Sequence, residues 1–295
     1  KQMRRAKSVA KNNGARRSKT ARSVASYIDS NMHALKPALD ALYETWNRPE
    51  FISPDPLQTM RHFTSPDDRE VAGLIASSLA FGNVKQILAS IATVLDAMPR
   101  PAKWLDEATP RRIESMFKSF RHRYSTGAEL TAMLVGAKNI RERHGNLGTA
   151  FAHCVADTDE DILPGLQRFI GLLNVNGTAN YLLPDPQRGS ACKRLHLYLR
   201  WMVRNDAVDP GGWPQISPAK LIVPVDTHMH RIAKGLGLTD RNAADLRTAR
   251  EITAAFRTIA PEDPVRYDFA LTRLGIRKDT TPAPFMAECS GLLLR

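Results

Sequence analysis

Cysteines and long apolar segments are scarce in this chain of 295 residues. The three cysteines, Cys154, Cys192 and Cys289, lie 38 and 97 residues apart, so the chain has no C-x-x-C pair. Three thiols exclude a four-cysteine zinc or iron–sulfur site, and their number suits a reducing compartment. The longest apolar run, Val71 to Phe81, contains serines and is too short to span a bilayer. We therefore expect no metal, no cofactor and no membrane partner.

Acidic residues are absent from the start of the chain up to Asp29. Nine of the 42 basic residues precede Asp29, so the other 33 are nearly balanced by the 30 acidic residues. The net charge of +12 therefore describes residues 1–25 more than the rest. Their composition predicts a basic disordered arm. Three roles remain open for it: contact with phosphates, a cleavable organelle presequence, or solubilisation.

Alternating strand patterns are also lacking, and helical periodicity runs through residues 26–290. Ser65 followed by Pro66 is typical of a helix start, and Asn83 can cap the next helix. Residues 203–224 form the one long irregular connection. We predict an all-α domain of two helical lobes with a cleft between them, with the C-terminal-lobe motifs at about 180–240.

Basic residues recur at helical spacing in the predicted helix Ala191–Arg204, which Ser190 can cap. No acid lies between them, and like charges at this spacing repel, so the pattern favours a face for an anionic partner. The alternative is that this face is structural and pairs with distant acids, for which Asp206 and Asp209 are candidates. The basic residues of this face are Lys193, His196, Arg200 and Arg204.

In the segment from Leu221 to Arg231, Asp226 lies at the predicted start of another helix. Asp226 can be a simple N-cap, and a metal site with His228 and His230 is a second possibility. Lys193 precedes Asp226 by 33 residues and also lies near a helix start. If the irregular connection brings the chain back, Lys193 and Asp226 lie side by side. Such a pair combines an amine nucleophile with a carboxylate.

Two stretches resemble the helix-hairpin-helix DNA glycosylases of the endonuclease III group. Val225-Asp-Thr-His228, followed by Arg231, resembles the V-D-T-H…R segment of that family. Gly73 to Asn83 is similar to its early helix, which ends in a loop that probes DNA. The resemblance covers roughly residues 60–275. It implies a glycosylase-like helix-hairpin-helix fold, a catalytic aspartate at Asp226, and a Schiff-base lysine at Lys193.

Other motifs resemble an uncharacterised bacterial family of conserved hypothetical proteins, related to these glycosylases and without an assigned reaction. They are Asn47-Arg-Pro, Ser53-Pro-Asp-Pro, Gly189-Ser-Ala-Cys-Lys-Arg-Leu and Pro264-Val-Arg-Tyr-Asp-Phe-Ala. The chain departs from the glycosylase hairpin L-P-G-V-G, which binds phosphate through glycine amides. Here Asp185 and Pro186 stand in that stretch, so the negative charge and the missing N–H oppose phosphate binding.

The resemblance implies a DNA-repair N-glycosylase and abasic-site lyase that acts on a flipped damaged base. The alternative is a nucleic-acid-binding protein without turnover. The expected partner is duplex DNA, with RNA possible, and Trp213 is the most plausible stacking tryptophan. We expect a cytoplasmic, nucleoid-associated monomer, or import into an organelle if the arm is a presequence. Besides Lys193 and Asp226, the expected nucleic-acid contacts are Asn83, Gly189, Ser190, Arg194, His196, Arg200, Arg204, His228 and Arg231.

Overall fold

The computed structural model describes residues 30–277 and 279–294, and the predicted basic arm lies outside them. Within these ranges the chain is mostly helical, as predicted. The helices of the first half are α1 (30–46), α2 (Pro66–Ser78), α3 (Val84–Asp96), α4 (Pro101–Glu107), α5 (Pro110–Phe117) and α6 (Gly127–His144). Those of the second half are α7 (Leu147–Cys154), α8 (Leu163–Leu173), α9 (Lys193–Val203), α10 (Thr227–Gly235), α11 (Leu246–Ile259), α12 (Asp268–Ile276) and α13 (Ala283–Leu293).

Short polar side chains start several helices where the sequence predicts them. The Ser65 hydroxyl accepts a hydrogen bond from the Asp68 N–H at the start of α2, and the Asn83 side chain accepts one from Lys85 at the start of α3. A capping box between Thr126 and Glu129 starts α6. Each cap satisfies amides that would otherwise lack a partner in the first helical turn.

The strand content of the described residues is limited to one small hairpin and two isolated bridges. Strands β1 (Arg121–His122) and β2 (Ser125–Thr126) pair antiparallel between α5 and α6. The loops of the described residues contain four 3-10 helices: Pro49–Phe51, Pro56–His62, Pro186–Arg188 and Pro218–Lys220. The predicted irregular connection lies between α9 and α10, where it contains only the last of these short helices.

A buried carboxylate joins three distant parts of the chain. Glu70 on α2 accepts hydrogen bonds from the Leu147 N–H at 2.7 Å and the Gly148 N–H at 3.0 Å, both at the start of α7. It also accepts one from the indole N–H of Trp213 at 3.0 Å. Trp213 is buried and stacks on Phe151 with ring centroids 5.3 Å apart. The prediction of Trp213 as a stacking residue for nucleic acid is therefore wrong, because its ring belongs to the core.

The buried apolar side chains form one cluster with members from every helix from α1 to α13. Around it, close packing brings α2 against α9, and α6 against α8. A Cβ atom at Gly136 on α6 would overlap the carbonyl oxygen of Leu173, so glycine permits this close approach. The all-α prediction is confirmed, whereas the division into two glycosylase-like lobes stays a prediction. No helix of the described residues is both long and apolar enough to cross a membrane.

Candidate functional site

Lys193 and Asp226 lie side by side, each at the start of a helix. Lys193 is the first residue of α9, and its ammonium nitrogen is 3.0 Å from Asp226 Oδ2. Asp226 is the N-cap of α10, where Oδ1 accepts hydrogen bonds from the His228 and Met229 amides at 2.9 Å each. The predicted juxtaposition of the two side chains is confirmed. Their catalytic roles stay predictions.

The electrostatic setting of Asp226 keeps its carboxyl group ionised. Burial by itself would raise the pKa of Asp226, but the charge of Lys193 and the Met229 amide together hold it below its ordinary value of 3.8. The Lys193 side chain is 34% exposed and that of Asp226 is 15% exposed. A ligand can therefore reach the amine, while the carboxylate lies behind it.

A cleft of about 690 Å³ contains this ion pair. Its volume is in the range of 300–1,000 Å³ that is typical of small-molecule sites. The loop after α2, the stretch before α9, the start of α10 and the face of α12 meet around it. Residues that line it include Asp55, Phe81, Gly82, Val84, Pro184, Ser190, Lys193, Arg194, Asp226, His228, Asp268, Thr272, Arg273 and Ile276.

Arg194 contributes a positive charge to the cleft wall, as its predicted binding role requires. Its guanidinium donates hydrogen bonds to the carbonyl oxygens of Ser78 and Tyr181. It also lies over two rings, 4.7 Å from the centroid of Phe81 and 5.3 Å from that of Tyr181. Among the described residues no carboxylate lies within 4.0 Å of it, so no salt bridge neutralises its charge, although burial lowers its pKa.

Arg200 and Arg204 are buried, so the prediction of a continuous basic face for an anionic partner is wrong for them. Arg200 pairs with Asp209 and Asp268. Arg204 pairs with Asp209 and Asp263, and also with Asp206 at 2.7 Å. Each guanidinium is no more than 4% exposed, and carboxylates surround both. The structural alternative, with Asp206 and Asp209 as partners, describes these two arginines.

His196 is also buried, at 1% exposure, and neither ring nitrogen has a hydrogen-bond partner among the described residues. Burial lowers its pKa from 6.5 to about 4, so the ring is neutral near pH 7. The predicted contact of His196 with nucleic acid is therefore wrong, because the enclosed ring is out of reach of a phosphate and carries no charge near pH 7.

The remaining predicted contacts divide between the cleft and its surroundings. Ser190 lines the cleft, and its hydroxyl accepts a hydrogen bond from the Cys192 amide, so it stabilises the turn before α9 rather than capping the helix. His228 lines the cleft beside Gly275. Asn83 and Arg231 are exposed but do not line the cleft. Gly189 does not line the cleft either; it ends a 3-10 helix, with a φ of 76°.

The metal alternative for Asp226, His228 and His230 has no support in the geometry. His230 Nε2 is 2.9 Å from the carbonyl oxygen of Arg241, and Asp226 is occupied by Lys193 and two amides. The described residues contain no group of three or more side chains of histidine, cysteine or acids that could hold a metal ion.

Asp268 is a cleft residue that the sequence analysis did not select. It is 2% exposed, and burial raises its pKa to about 6, although the charge of Arg200 opposes this rise. Its Oδ2 pairs with Arg200, whereas Oδ1 has no hydrogen-bond partner among the described residues. The only sequence signal for it was the motif Pro264-Val-Arg-Tyr-Asp-Phe-Ala, which contains it.

Comparison with known proteins assigns the chain to a family. No curated protein and no solved structure matches it. One family model matches residues 55–277, which are 223 of the 295 residues and include both Lys193 and Asp226. The prediction of an uncharacterised family is thereby confirmed, and the relationship to the glycosylases stays a prediction. The chain belongs to the family described as "Protein of unknown function (DUF2400)".

Proposed function

We propose that this protein is an N-glycosylase with abasic-site lyase activity, which acts on a damaged base flipped out of a nucleic acid. The single observation that carries the proposal is the contact of 3.0 Å between Lys193 and Asp226 in the wall of the cleft. Nucleophilic attack on a sugar carbon needs an amine beside a fixed carboxylate that can take its proton. The resemblance of Val225-Asp-Thr-His228 to the glycosylase motif supports the same roles.

The pair can release the base and form the imine in three steps. Asp226 accepts a proton from the Lys193 ammonium group, which frees the amine. The nitrogen lone pair forms a bond to C1′ as the bond between C1′ and the base breaks; the base leaves with that electron pair and takes the proton from Asp226. The bond from C1′ to O4′ then opens, O4′ receives the second amine proton, and a protonated imine links Lys193 to the sugar.

Other cleft residues suit the binding of a flipped nucleotide. The Phe81 ring offers an apolar surface for a base, and Arg194 offers a charge for a phosphate. Exposed positions near the cleft, such as Ser190 and Arg231, are further candidates for backbone contacts. Duplex DNA is the substrate that the glycosylase resemblance favours, and RNA is the other possibility.

Binding without turnover is a second candidate function, and two observations favour it. Lys193 is held in an ion pair, which reduces its availability as a nucleophile. The stretch before α9 departs from the glycosylase hairpin, because Asp185 accepts a hydrogen bond from the Gln187 amide and Pro186 has no N–H, and this departure counts against the glycosylase reaction. In this function the cleft holds a nucleotide and releases it unchanged.

Borohydride trapping separates the two functions. The protein is mixed with labelled oligonucleotide duplexes that carry an abasic site, uracil, 8-oxoguanine or a ring-opened purine, and then reduced. We expect a covalent complex on a denaturing gel, because borohydride reduces the imine to a stable amine. Lys193→Ala should abolish the complex and leave the affinity for the same duplex within about threefold, since one partly exposed ion pair contributes little.

Lys103→Ala is the matched control. Lys103 also lies in the first turn of a helix and pairs with an acid, Glu107, at 3.5 Å, but it is outside the cleft. This variant should trap as well as the parent. If no duplex yields a covalent complex or free base while the parent still binds them, the catalytic proposal fails and the binding function replaces it.

A further inference from the structure

A row of aromatic rings leads from solvent into the cleft. Tyr124 is 70% exposed and Tyr181 is 40% exposed, and their ring centroids are 6.0 Å apart. Tyr181 in turn lies 5.1 Å from Phe81, which lines the cleft. Large apolar side chains are normally exposed singly, whereas here two of them touch each other and continue into a cavity. We call Phe81, Tyr181 and Tyr124 the aromatic row.

The outer end of the row is held in place by the hairpin of β1 and β2. The buried ring of His122 links this hairpin to the loop after α2: its Nε2 is 3.1 Å from the Phe81 carbonyl oxygen, and its Nδ1 is 2.9 Å from Ser90 Oγ on α3. The His122 ring also contacts the Phe81 ring, with centroids 4.5 Å apart. Tyr124 therefore lies on a short, well-anchored hairpin. This anchoring reduces the conformational entropy that the protein loses when a ligand binds.

The hairpin tip has a backbone conformation that is unusual for its residue type. Arg123 adopts a φ of 54°, in the left-handed region that side chains other than glycine, asparagine and aspartate rarely occupy. It packs on Gly82, itself at a φ of 101°, where an added Cβ would lie 2.7 Å from Arg123 Cδ. Such conformations persist where the surroundings impose them, and they concentrate at binding sites.

Two arginines place positive charge beside the aromatic row. Arg194 lies over Phe81 and Tyr181, and Arg123 lies over Tyr124 at 5.6 Å from its centroid. No carboxylate of the described residues lies within 4.0 Å of either guanidinium. Aromatic rings interleaved with arginines that have no carboxylate partner match a chain of bases joined by phosphates. A partner that offered negative charge without aromatic or apolar groups would satisfy the charges but would leave the rings exposed.

We propose that the aromatic row binds unpaired nucleobases of a single-stranded segment that leads into the cleft, with Arg123 and Arg194 at its phosphates. Neighbouring rings of the row stand edge to face, at 72° and 68°, so they do not stack on each other. Bases inside an intact duplex have no free face, so the preferred substrate is single-stranded or locally opened nucleic acid. This inference rests on the proposed function for the cleft that it extends, but it concerns binding alone.

Fluorescence anisotropy with a short labelled oligonucleotide tests the proposal. The parent protein should bind the single strand, as DNA or as RNA, more tightly than the blunt duplex of the same sequence. Tyr124→Ala and Tyr181→Ala should each weaken single-strand binding about tenfold, because each removes one stacking surface. Tyr124→Trp should retain the affinity. An unchanged melting temperature of Tyr124→Ala, expected for a side chain at 70% exposure, excludes a folding defect.

The salt dependence of the affinity distinguishes the contribution of base stacking from that of charge. The slope of log affinity against log salt should stay the same in the tyrosine variants and decrease in Arg123→Ala, since only the arginine displaces counterions from phosphate. Val175→Ala is the matched control: Val175 is 71% exposed but lies at a separate surface pocket with Leu173 and Asn139.

Two results would overturn the stacking proposal: single-strand affinity that is the same in the tyrosine variants as in the parent, or tighter binding of the duplex than of the single strand. Trapping reports on the Lys193 amine, whereas the anisotropy of the tyrosine variants reports on the aromatic row. Absence of trapping together with a loss of affinity in Tyr124→Ala would therefore contradict the glycosylase function alone, and the stacking site would stand.

Discussion

Asp226 has two tasks, as the cap of α10 and as the partner of Lys193, and one substitution can separate them. Asn is as good an N-cap as Asp, but it carries no charge and cannot accept the proton of an ammonium group. In Asp226→Asn the free energy of unfolding should change by less than about 1 kcal/mol, since the ion pair is partly exposed. The rate of base release in a single turnover should fall by about 100-fold or more.

Asp245→Asn is the control for this prediction, because Asp245 caps α11 in the same way and does not line the cleft. Its rate of base release should equal that of the parent. A rate in Asp226→Asn close to the parental rate would show that Asp226 is a structural cap only.

His196 should make the stability of the protein depend on pH. Its pKa in the folded state, about 4, lies below the ordinary 6.5, so the unfolded chain binds more protons between these values. The free energy of unfolding should therefore fall as the pH drops from 6.5 towards 4, with a contribution from His196 of about 3 kcal/mol at pH 4. Urea unfolding across this range measures the loss.

His196→Leu should remove this contribution, because leucine fills the site without a group that titrates. Near pH 7 the variant should be at least as stable as the parent, since it also replaces two buried ring nitrogens that lack partners among the described residues. A pH profile that is identical in the parent and the variant would contradict the assignment.

Single residues also show where sequence patterns mislead. The helical spacing of Lys193, Arg200 and Arg204 correctly indicates one helix, but spacing does not reveal what faces that helix. Asp263 and Asp268 lie about 60 residues further along the chain and still pair with these arginines. Lys193, the first of these three residues, is the one whose side chain both lines the cleft and is partly exposed.

At the scale of elements, Arg204 joins α9 to the irregular connection and to the turn before α12. Its guanidinium pairs with Asp206, Asp209 and Asp263, and the Asp206 carboxylate also accepts hydrogen bonds from Tyr43 and Asn47 at α1. Arg204→Ala should lower the free energy of unfolding by about 3–5 kcal/mol, because it leaves buried carboxylates without their counter-ion. Urea unfolding at neutral pH measures this.

Arg231→Ala provides the comparison. Arg231 is exposed on α10, so this substitution should lower the free energy of unfolding by less than about 0.5 kcal/mol. In conditions where both variants are folded, Arg204→Ala should bind nucleic acid as the parent does. A selective loss of binding in Arg204→Ala, with stability intact, would restore the predicted role of Arg204 as a phosphate contact.

The helices were the most predictable elements, because their start signals are local. Ser65, Asn83 and Asp226 all cap the helices that the sequence assigns to them. The start of α9 is two residues later than predicted, since Cys192 adopts a left-handed conformation and ends the turn that Ser190 stabilises. The hairpin of β1 and β2 has strands of two residues each, too short for any alternating pattern.

At the scale of the whole molecule, the cleft depends on contacts that no local pattern encodes. The sequence predicts that Lys193 and Asp226 meet, because both lie at helix starts and the long connection between them can bring the chain back. It did not predict that Phe81, Asp268 and Arg273 line the same cavity, since Phe81 follows α2 whereas Asp268 and Arg273 lie on α12, far along the chain. The Tyr124–Tyr181 contact was missed for the same reason: 57 residues separate the two rings along the chain.

Mapping the trapped linkage by mass spectrometry tests directly whether Lys193 is the nucleophile. After reduction of the protein with an abasic-site oligonucleotide, nuclease and protease digestion leave the sugar on one peptide. We expect the added mass on Lys193 and its absence in Asp226→Asn under the same brief reaction. A linkage on another lysine, at equal yield in parent and Lys193→Ala, would contradict the assignment of Lys193 as the nucleophile.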